Sequence, residues 1–558
     1  MSIFYKQIGK KLGLEPPEFK VAVKRNIRVP MPEGITLRTD HYYPRTHGSY
    51  PTVLIRSPYY GGRWLRTDPP GFIDVFFARL LAERGYNVVI QTTRGRFDSD
   101  GEFEPLIHEA EDGKATIDWL STQTWFDGNL GMWGASYVGY TQWVLATQAL
   151  PTLKAIVPMS TSSSFSSLMF PDGAWGDLAL GFSNAVSLAD KRKWSTIEAI
   201  KFVTKPKATA QILNLAYKHL PAREADAQAV GKPVAFYRQW IDHSRSTDPL
   251  WKTIDQSAQL PAINTPAYLF TGWYDFCSRG TLNDYAALKD AGHTPYLTVS
   301  AHSHDPRMSI KGIKPSLEWF DAQLKGDRSR LRKKPVQIFI MGAEAWRELD
   351  NWPPAAQETR YFLHSHHQLS TDEPESESPP DSYQYNPADP TPSVGKLSGV
   401  MLHGPIDNRP LEARPDVICF TTSPLSRDIE VIGPVRLELY VRSSRPFTDF
   451  FGCLCDVHPD GRSINLCDGL FRVEPEKGEL QSDGSVRIVV DMWATANLFR
   501  QGHSIRLQVS SGAHPRWYRN LGTGEPIANA TQMVSAVQAI YHDSVHPSAL
   551  VLPVTAGT

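Results

Sequence analysis

Between Val53 and Val299 the chain repeats one pattern: a short unbroken apolar run, a few polar or turn residues, then a stretch with helical spacing. The runs are Val53-Leu-Ile55, Val88-Val-Ile90, Ala155-Ile-Val157, Tyr268-Leu-Phe270 and Tyr296-Leu-Thr-Val299. Apolarity without alternation suits strands covered by helices on both faces. Phe72 to Arg84 and Glu109 to Thr122 supply such helices, and the pattern predicts an α/β domain on a mainly parallel sheet. It breaks over residues 165–258, where strand-like runs vanish and helical spacing continues in Ala208 to His219 and Val234 to Ile241. That stretch reads as a helical cap inserted into the sheet domain. Past residue 355 the period changes to two. Val435-Arg-Leu-Glu-Leu-Tyr-Val441 and Ile505-Arg-Leu-Gln-Val509 are apolar at every second position, and His458-Pro-Asp-Gly461 supplies a turn. A C-terminal β-sandwich, in outline a jelly roll, is expected there. Ser370 to Pro392, rich in Ser, Pro, Asp and Glu, reads as a surface loop on the way to it.

Composition narrows the function classes. A chain of 558 residues is too long for one core, and 41% hydrophobic with 21% charged residues is ordinary for a globular protein. The formal net charge is −1 and no Lys/Arg stripe forms, which argues against nucleic acid or an anionic membrane as a partner. Met1 to Glu15 lacks the apolar core of a secretory signal, and no run reaches the ~20 apolar residues that span a bilayer. The cysteines Cys277, Cys419, Cys453, Cys455 and Cys467 are odd in number and without framework spacing. Together these point to a cytoplasmic protein without a disulfide scaffold. Cys453-x-Cys455 has no second pair and reads as two small residues on one strand face rather than as half a zinc site.

The chemistry centres on Gly134-Ala-Ser136-Tyr137-Val-Gly139. A serine hydroxyl becomes a useful nucleophile when a sharp turn exposes it and a base takes its proton. Small residues on either side of the serine let strand and helix backbones approach closely. The context fits: Leu130-Gly-Met-Trp133 reads as a buried strand, and Tyr137 to Ala149 as a helix with Val138, Thr141, Val144 and Leu145 on one face. In α/β hydrolases an Asp or Glu and then a His follow, each after a strand. Asp275 follows the run ending at Phe270, and a histidine pair, His302 and His304, follows the run ending at Val299, with room for a helix, Leu282 to Ala291, between. Spacing leaves the choice between His302 and His304 open, and Asp275 has the alternative of capping the helix that follows it.

Further motifs appear in order: Ser57-Pro-Tyr59, Gln91-Thr-Thr-Arg94-Gly95, Gly272-Trp-Tyr-Asp275, Ser303-His304, Met341-Gly-x-x-x-Trp346-Arg347, Pro387-x-Asp-Pro390 and Asp449-Phe. With the serine motif they make the chain resemble, over nearly its whole length, the acyl-hydrolase family of bacterial cocaine esterase, the X-prolyl dipeptidyl peptidases and the α-amino-acid ester hydrolases, most closely the first branch. The resemblance implies an α/β-hydrolase catalytic domain over 20–164 and 259–355, a helical cap over 165–258 and a jelly-roll β-sandwich over 356–558. It implies Ser136 as nucleophile, His304 rather than His302 as general base, and Asp275 as the residue orienting it. It further implies an oxyanion hole from the Tyr59 hydroxyl and the Tyr137 backbone N–H. Tyr60 is the adjacent competitor and, standing before Gly61-Gly62, reads as a surface aromatic. The expected chemistry is acyl transfer from an ester or amide through an acyl-enzyme, which needs no metal and no cofactor.

The substrate is less defined. By the resemblance, Phe170 of the cap and Phe276-Cys277 line the acyl pocket. Cys277 stands where an aromatic is expected, which weakens a benzoyl-ester reading, and the lack of a carboxylate after Asp275 weighs against the α-amino-acid ester hydrolases. X-prolyl dipeptidyl peptidases carry an extra N-terminal domain, so that activity is the alternative, and a non-catalytic ligand-binding protein the remote one. The expected partner is a small-molecule ester or amide substrate, with a homodimer left open.

Overall fold

The computed structural model describes residues 2–46, 48–61, 69–191, 206–374, 376–394 and 404–555. The chain divides into two compact units. One comprises Met1–Ser166, Val186–Lys205 and Pro249–Pro335, the other Ser167–Ala185, Pro206–Asp248 and Val336–Thr558.

The first unit is built on eight strands: β1 (Val21–Pro30), β2 (Thr36–Pro44), β3 (Tyr50–Ser57), β4 (Asn87–Thr92), β5 (Phe126–Ala135), β6 (Leu153–Met159), β7 (Tyr268–Tyr274) and β8 (Tyr296–Ser303). Their spatial order is β1-β2-β4-β3-β5-β6-β7-β8. From β4 to β8 all neighbours are parallel, while β1 and β2 add antiparallel at one edge. Strands β4 and β7 are buried along their full length, as unbroken apolar runs require. The sheet thus begins at Val21 and not at the run around Val53. The antiparallel edge escapes the apolar-run pattern because β1 exposes Lys24, Arg25 and Asn26 and shifts register between Lys24 and Ile27, a charged and bulged edge that discourages further pairing.

Helices α1 (Pro69–Ala82), α2 (Glu109–Ser121), α3 (Tyr137–Ala146), α4 (Ser278–Asp290) and α5 (Pro306–Leu324) belong to this unit. Trp133 of β5 stacks on Phe77 of α1 with ring centroids 3.8 Å apart, in a core shared with Ile55, Ile90, Val157 and Phe320. Helix α3 departs from the one-sided pattern expected of it: all ten of its residues are buried. It is enclosed by protein, so its apolar positions carry no stripe, and it ends at Ala146, short of Ala149.

The described residues of 165–258 hold helices, among them Pro206–Tyr217 and Ala235–Asp242, and no strand. Beyond them, in the second unit, the long strand Ile429–Ser443 pairs antiparallel with Val486–Phe499, Ala536–Tyr541 and Ala549–Val554. Cys453 and Cys455 lie on one strand, Thr448–Val457, with Sγ atoms 3.8 Å apart and buried. The stretch 370–392 is not all loop: Asp381–Tyr385 is a strand paired with Ala536–Tyr541. Its polar composition hid an alternation that buries Tyr383 and Tyr385.

Candidate active site

Ser136 joins β5 directly to α3 with φ 60° and ψ −125°. A non-glycine residue here carries roughly 1–3 kcal/mol of strain, so the surroundings must hold it. The Ser136 N–H donates to the Met159 carbonyl at 2.9 Å, and the N–H groups of Gly139 and Tyr140 donate to the Ser136 carbonyl at 2.9 and 3.0 Å. The flanking glycines answer to space. A Cβ at Gly134 would lie 2.1 Å from Val138 Cγ1, and one at Gly139 would lie 2.7 Å from Thr161 Cγ2. Tyr137 opens α3, so its backbone N–H belongs to the first turn, whose donors point out of the helix N-terminus.

Asp275 directly follows β7, and His304 directly follows β8. Since β5, β7 and β8 run parallel, Ser136, Asp275 and His304 all sit at the carboxyl ends of the sheet. His304 Nδ1 is 3.0 Å from Asp275 Oδ1, both side chains being almost fully buried. The same Oδ1 accepts the Cys277 N–H at 2.8 Å, so this carboxylate is oriented by the turn and does not cap α4, whose N-cap is Cys277. The Phe276 ring packs on the His304 imidazole, centroids 4.4 Å apart and planes 31° from parallel. His302 has no such partner: its Nε2 is buried without a hydrogen bond, and burial, then Lys311, hold its imidazole below the ordinary value. Among the described residues no hydrogen bond reaches Ser136 Oγ, so the serine–histidine bond is not made here; such bonds often tighten only around substrate.

Tyr59 is half-buried on the turn after β3. The turn is fixed on both sides of it: Arg96 Nε donates to the Pro58 carbonyl at 3.0 Å and Thr92 Oγ1 to the Tyr60 carbonyl at 2.6 Å. Tyr60 is not a surface aromatic. It is 1% exposed, and its hydroxyl donates to Asp40 Oδ2 at 2.7 Å. The turn-like Gly61-Gly62 that follows gave no hint of a partner carboxylate twenty residues upstream. Cys277 is buried, with Sγ 3.9 Å from His304 Nδ1, and burial followed by the nearby Asp275 charge pushes its thiol well up. Phe170 lies in the other compact unit, buried edge-on against Trp175.

Two charged residues absent from the sequence-based candidates stand behind the serine. Arg56, wholly buried at the end of β3, faces Glu109 at 2.7 Å, and Glu109 accepts the Tyr137 hydroxyl. Neither was legible, since Arg56 follows an apolar run as a strand-end charge does and Glu109 resembles any acid in a first helical turn. As for metals, ligand atoms of Asp275, Cys277 and His304 lie within 4.8 Å of one another, as do those of Asp456, His458 and His503. Hydrogen bonds account for the first set, and His503 Nδ1 meets Asp456 Oδ1 at 2.8 Å in the second. No described helix is long and apolar enough to cross a membrane.

Residues 33–305 match the X-Pro dipeptidyl-peptidase (S15) family, and residues 330–551 match the X-Pro dipeptidyl-peptidase C-terminal non-catalytic domain. Cocaine esterase of Rhodococcus sp. is 34% identical over 96% of this chain and 98% of its own. Two solved structures share the fold at 21% identity, each with a TM-score of 0.79 over 96% of this chain and 97% of the other: an aminopeptidase from a marine-sediment Thaumarchaeota archaeon, and an α-amino-acid ester hydrolase. The fold is thus that of the α/β hydrolases carrying an additional antiparallel domain, and the protein is a serine hydrolase. The chain belongs to the X-Pro dipeptidyl-peptidase S15 family.

Proposed function

We propose that the protein hydrolyses ester, and secondarily amide, bonds of small acyl substrates through an acyl-enzyme on Ser136. The observation that carries this is the 3.0 Å His304–Asp275 pair at the same end of the parallel sheet as the strained Ser136 turn. Asp275 keeps His304 in the tautomer that leaves Nε2 free to accept. His304 then takes the Ser136 proton as Oγ attacks the carbonyl carbon. The Tyr137 backbone N–H and the Tyr59 hydroxyl stabilise the tetrahedral oxyanion. His304 returns the proton to the leaving oxygen or nitrogen, and water repeats the sequence to free the acid. The preference for small-acyl esters rests on the similarity to cocaine esterase over both full chains. Five cysteines, none disulfide-bonded, fit a reducing compartment and support a cytoplasmic location.

A p-nitrophenyl ester series of rising acyl length, run beside Gly-Pro-p-nitroanilide, tests this reading. Turnover of the short esters far above that of the anilide is expected. A dominant dipeptidyl-anilide activity overturns the esterase assignment, and failure of a fluorophosphonate to label Ser136 overturns the nucleophile.

A further inference from the structure

The residue after the nucleophile is tied down by more than the helix it opens. The Tyr137 hydroxyl donates to Glu109 Oε1 at 2.7 Å and accepts the Leu106 backbone N–H at 2.8 Å. Leu106 holds φ 75°, an unusual conformation for a leucine, and with it aims its N–H at that hydroxyl. Glu109 in turn faces Arg56: Nη1 lies 2.7 Å from Oε2 and also donates to the Glu109 carbonyl at 2.7 Å. Arg56 Nε donates to Gln91 Oε1 at 3.0 Å, and Thr116 Oγ1 to the same oxygen at 2.9 Å. Every one of these side chains is buried.

Such an arrangement is a poor way to obtain stability. Desolvating an Arg–Glu pair offsets most of its attraction, and apolar replacements are often neutral or better. A phenylalanine at 137 would fill the same space without needing either polar partner. What the network does supply is direction. The Ser136–Tyr137 peptide is held in a strained conformation, and its N–H is one of the two proposed oxyanion donors. Relaxation of that strain turns the donor away. The ring of Tyr137, fastened at its far end, is a lever on that peptide plane.

We infer that the Tyr137 hydroxyl and Glu109 are positioning groups for the reaction: anchored by Arg56, they hold the 136–137 peptide so that its N–H meets the oxyanion. This rests on Ser136 being the nucleophile. Tyr137→Phe deletes one hydroxyl and leaves the Arg56–Glu109 pair in place. Rates on p-nitrophenyl butyrate are normalised to sites titrated with a fluorophosphonate, so any unfolded fraction drops out. The expected result is a fall in kcat of roughly ten-fold or more, below the full ~10²–10³ for a lost donor. KM should stay within about two-fold, because ground-state binding is untouched. A second variant, Glu109→Gln, retains a hydrogen-bond acceptor for Tyr137 but removes the carboxylate charge facing Arg56, leaving only the Arg56 bond to the backbone carbonyl, and should show the same split in smaller measure. Titrated Tyr137→Phe with kcat within two-fold of wild type overturns the inference, as does a rise in KM at constant kcat. If Tyr137→Phe does not fold, Glu109→Gln decides by the same criteria. Wild-type protein that is not labelled at Ser136 marks the failure of the underlying reading instead.

Discussion

The parallel strands β3 to β8 and the antiparallel strands beyond Gln357 bury similar Val, Ile and Leu side chains, yet two buried carboxylates, one in each unit, are treated in opposite ways. In the second unit Glu438 is met by Arg360 at 2.9 Å and Arg487 at 3.1 Å, each from another strand, and by Arg436 of its own strand at 3.6 Å. Against the upward push of its burial, Arg360 and Arg487 hold the Glu438 carboxyl below the ordinary value. In the first unit Asp74, fully buried on α1, meets no cation among the described residues. Burial raises it to about 7, with Ser57 pulling slightly the other way. An antiparallel sheet distributes strand ends to both edges and can neutralise its charges across neighbours. A parallel sheet gathers its carboxyl ends on one side, where loops collect polar groups whose energies serve chemistry more than stability. The match of residues 330–551 to a non-catalytic domain agrees with that contrast.

If the contrast holds, changes at the sheet's carboxyl end lose activity and keep stability, and changes in the antiparallel unit do the reverse. The largest effect belongs to Ser136→Ala, expected to remove four or more decades of kcat at an unchanged melting temperature, roughly the scale of a lost nucleophile. Near-normal turnover in that variant breaks the comparison at its root. His304→Ala should be as severe, and Asp275→Asn roughly two decades milder, whereas His302→Ala should stay within several-fold. Reversal of the two histidines in steady-state kinetics moves the base to the other ring.

Tyr59→Phe comes next, with a loss of about 10²–10³ in kcat for one oxyanion donor. A change confined to KM makes Tyr59 a pocket wall instead. Tyr60→Phe is not a silent control, because the Tyr60 hydroxyl serves the buried Asp40 that Arg38 and Arg25 also bind. It is the exception at this end of the sheet, and should lower thermal stability and leave kcat within a few-fold.

Glu438→Gln tests the other side. It takes the shared carboxylate from Arg360, while Arg436 keeps Glu358 and Arg487 keeps Glu479, and should cost roughly 1–2 kcal/mol, a few degrees by calorimetry, with kcat intact. Because the folded pKa of Glu438 is depressed, its contribution is present above the ordinary carboxylate value and lost as pH falls through the folded one. Asp74 has the opposite sign. Its raised pKa favours the fold while the carboxyl is neutral, so stability declines as pH climbs from about 4 towards 7. Asp74→Asn should flatten that decline and raise the melting point at pH 8 by about one or two degrees. Melting curves at pH 5 and 8 that run parallel for variant and wild type remove Asp74 from the account.

Much of this was written in local sequence. Unbroken apolar runs announced β3, β4, β6, β7 and β8 because strands covered on both faces have no polar side to show. The Gly134–Gly139 spacing announced the turn at Ser136 because only small side chains fit where strand and helix backbones cross. Asp275 was legible as a candidate from chain order. What needed the folded chain were the pairings between distant segments. Tyr60 looked exposed until Asp40 came beside it, residues 381–385 looked like loop until two tyrosines turned inward, and Arg56 with Glu109 carried no signal at all. His304 could be preferred to His302 only through resemblance until its ring met Asp275 across adjacent strands. Periodicity reports how each residue meets its near neighbours and the solvent. Which charge meets which across fifty residues is decided only when the sheet brings them into one low-dielectric space, where an unpaired group is costly and a partner is therefore compulsory.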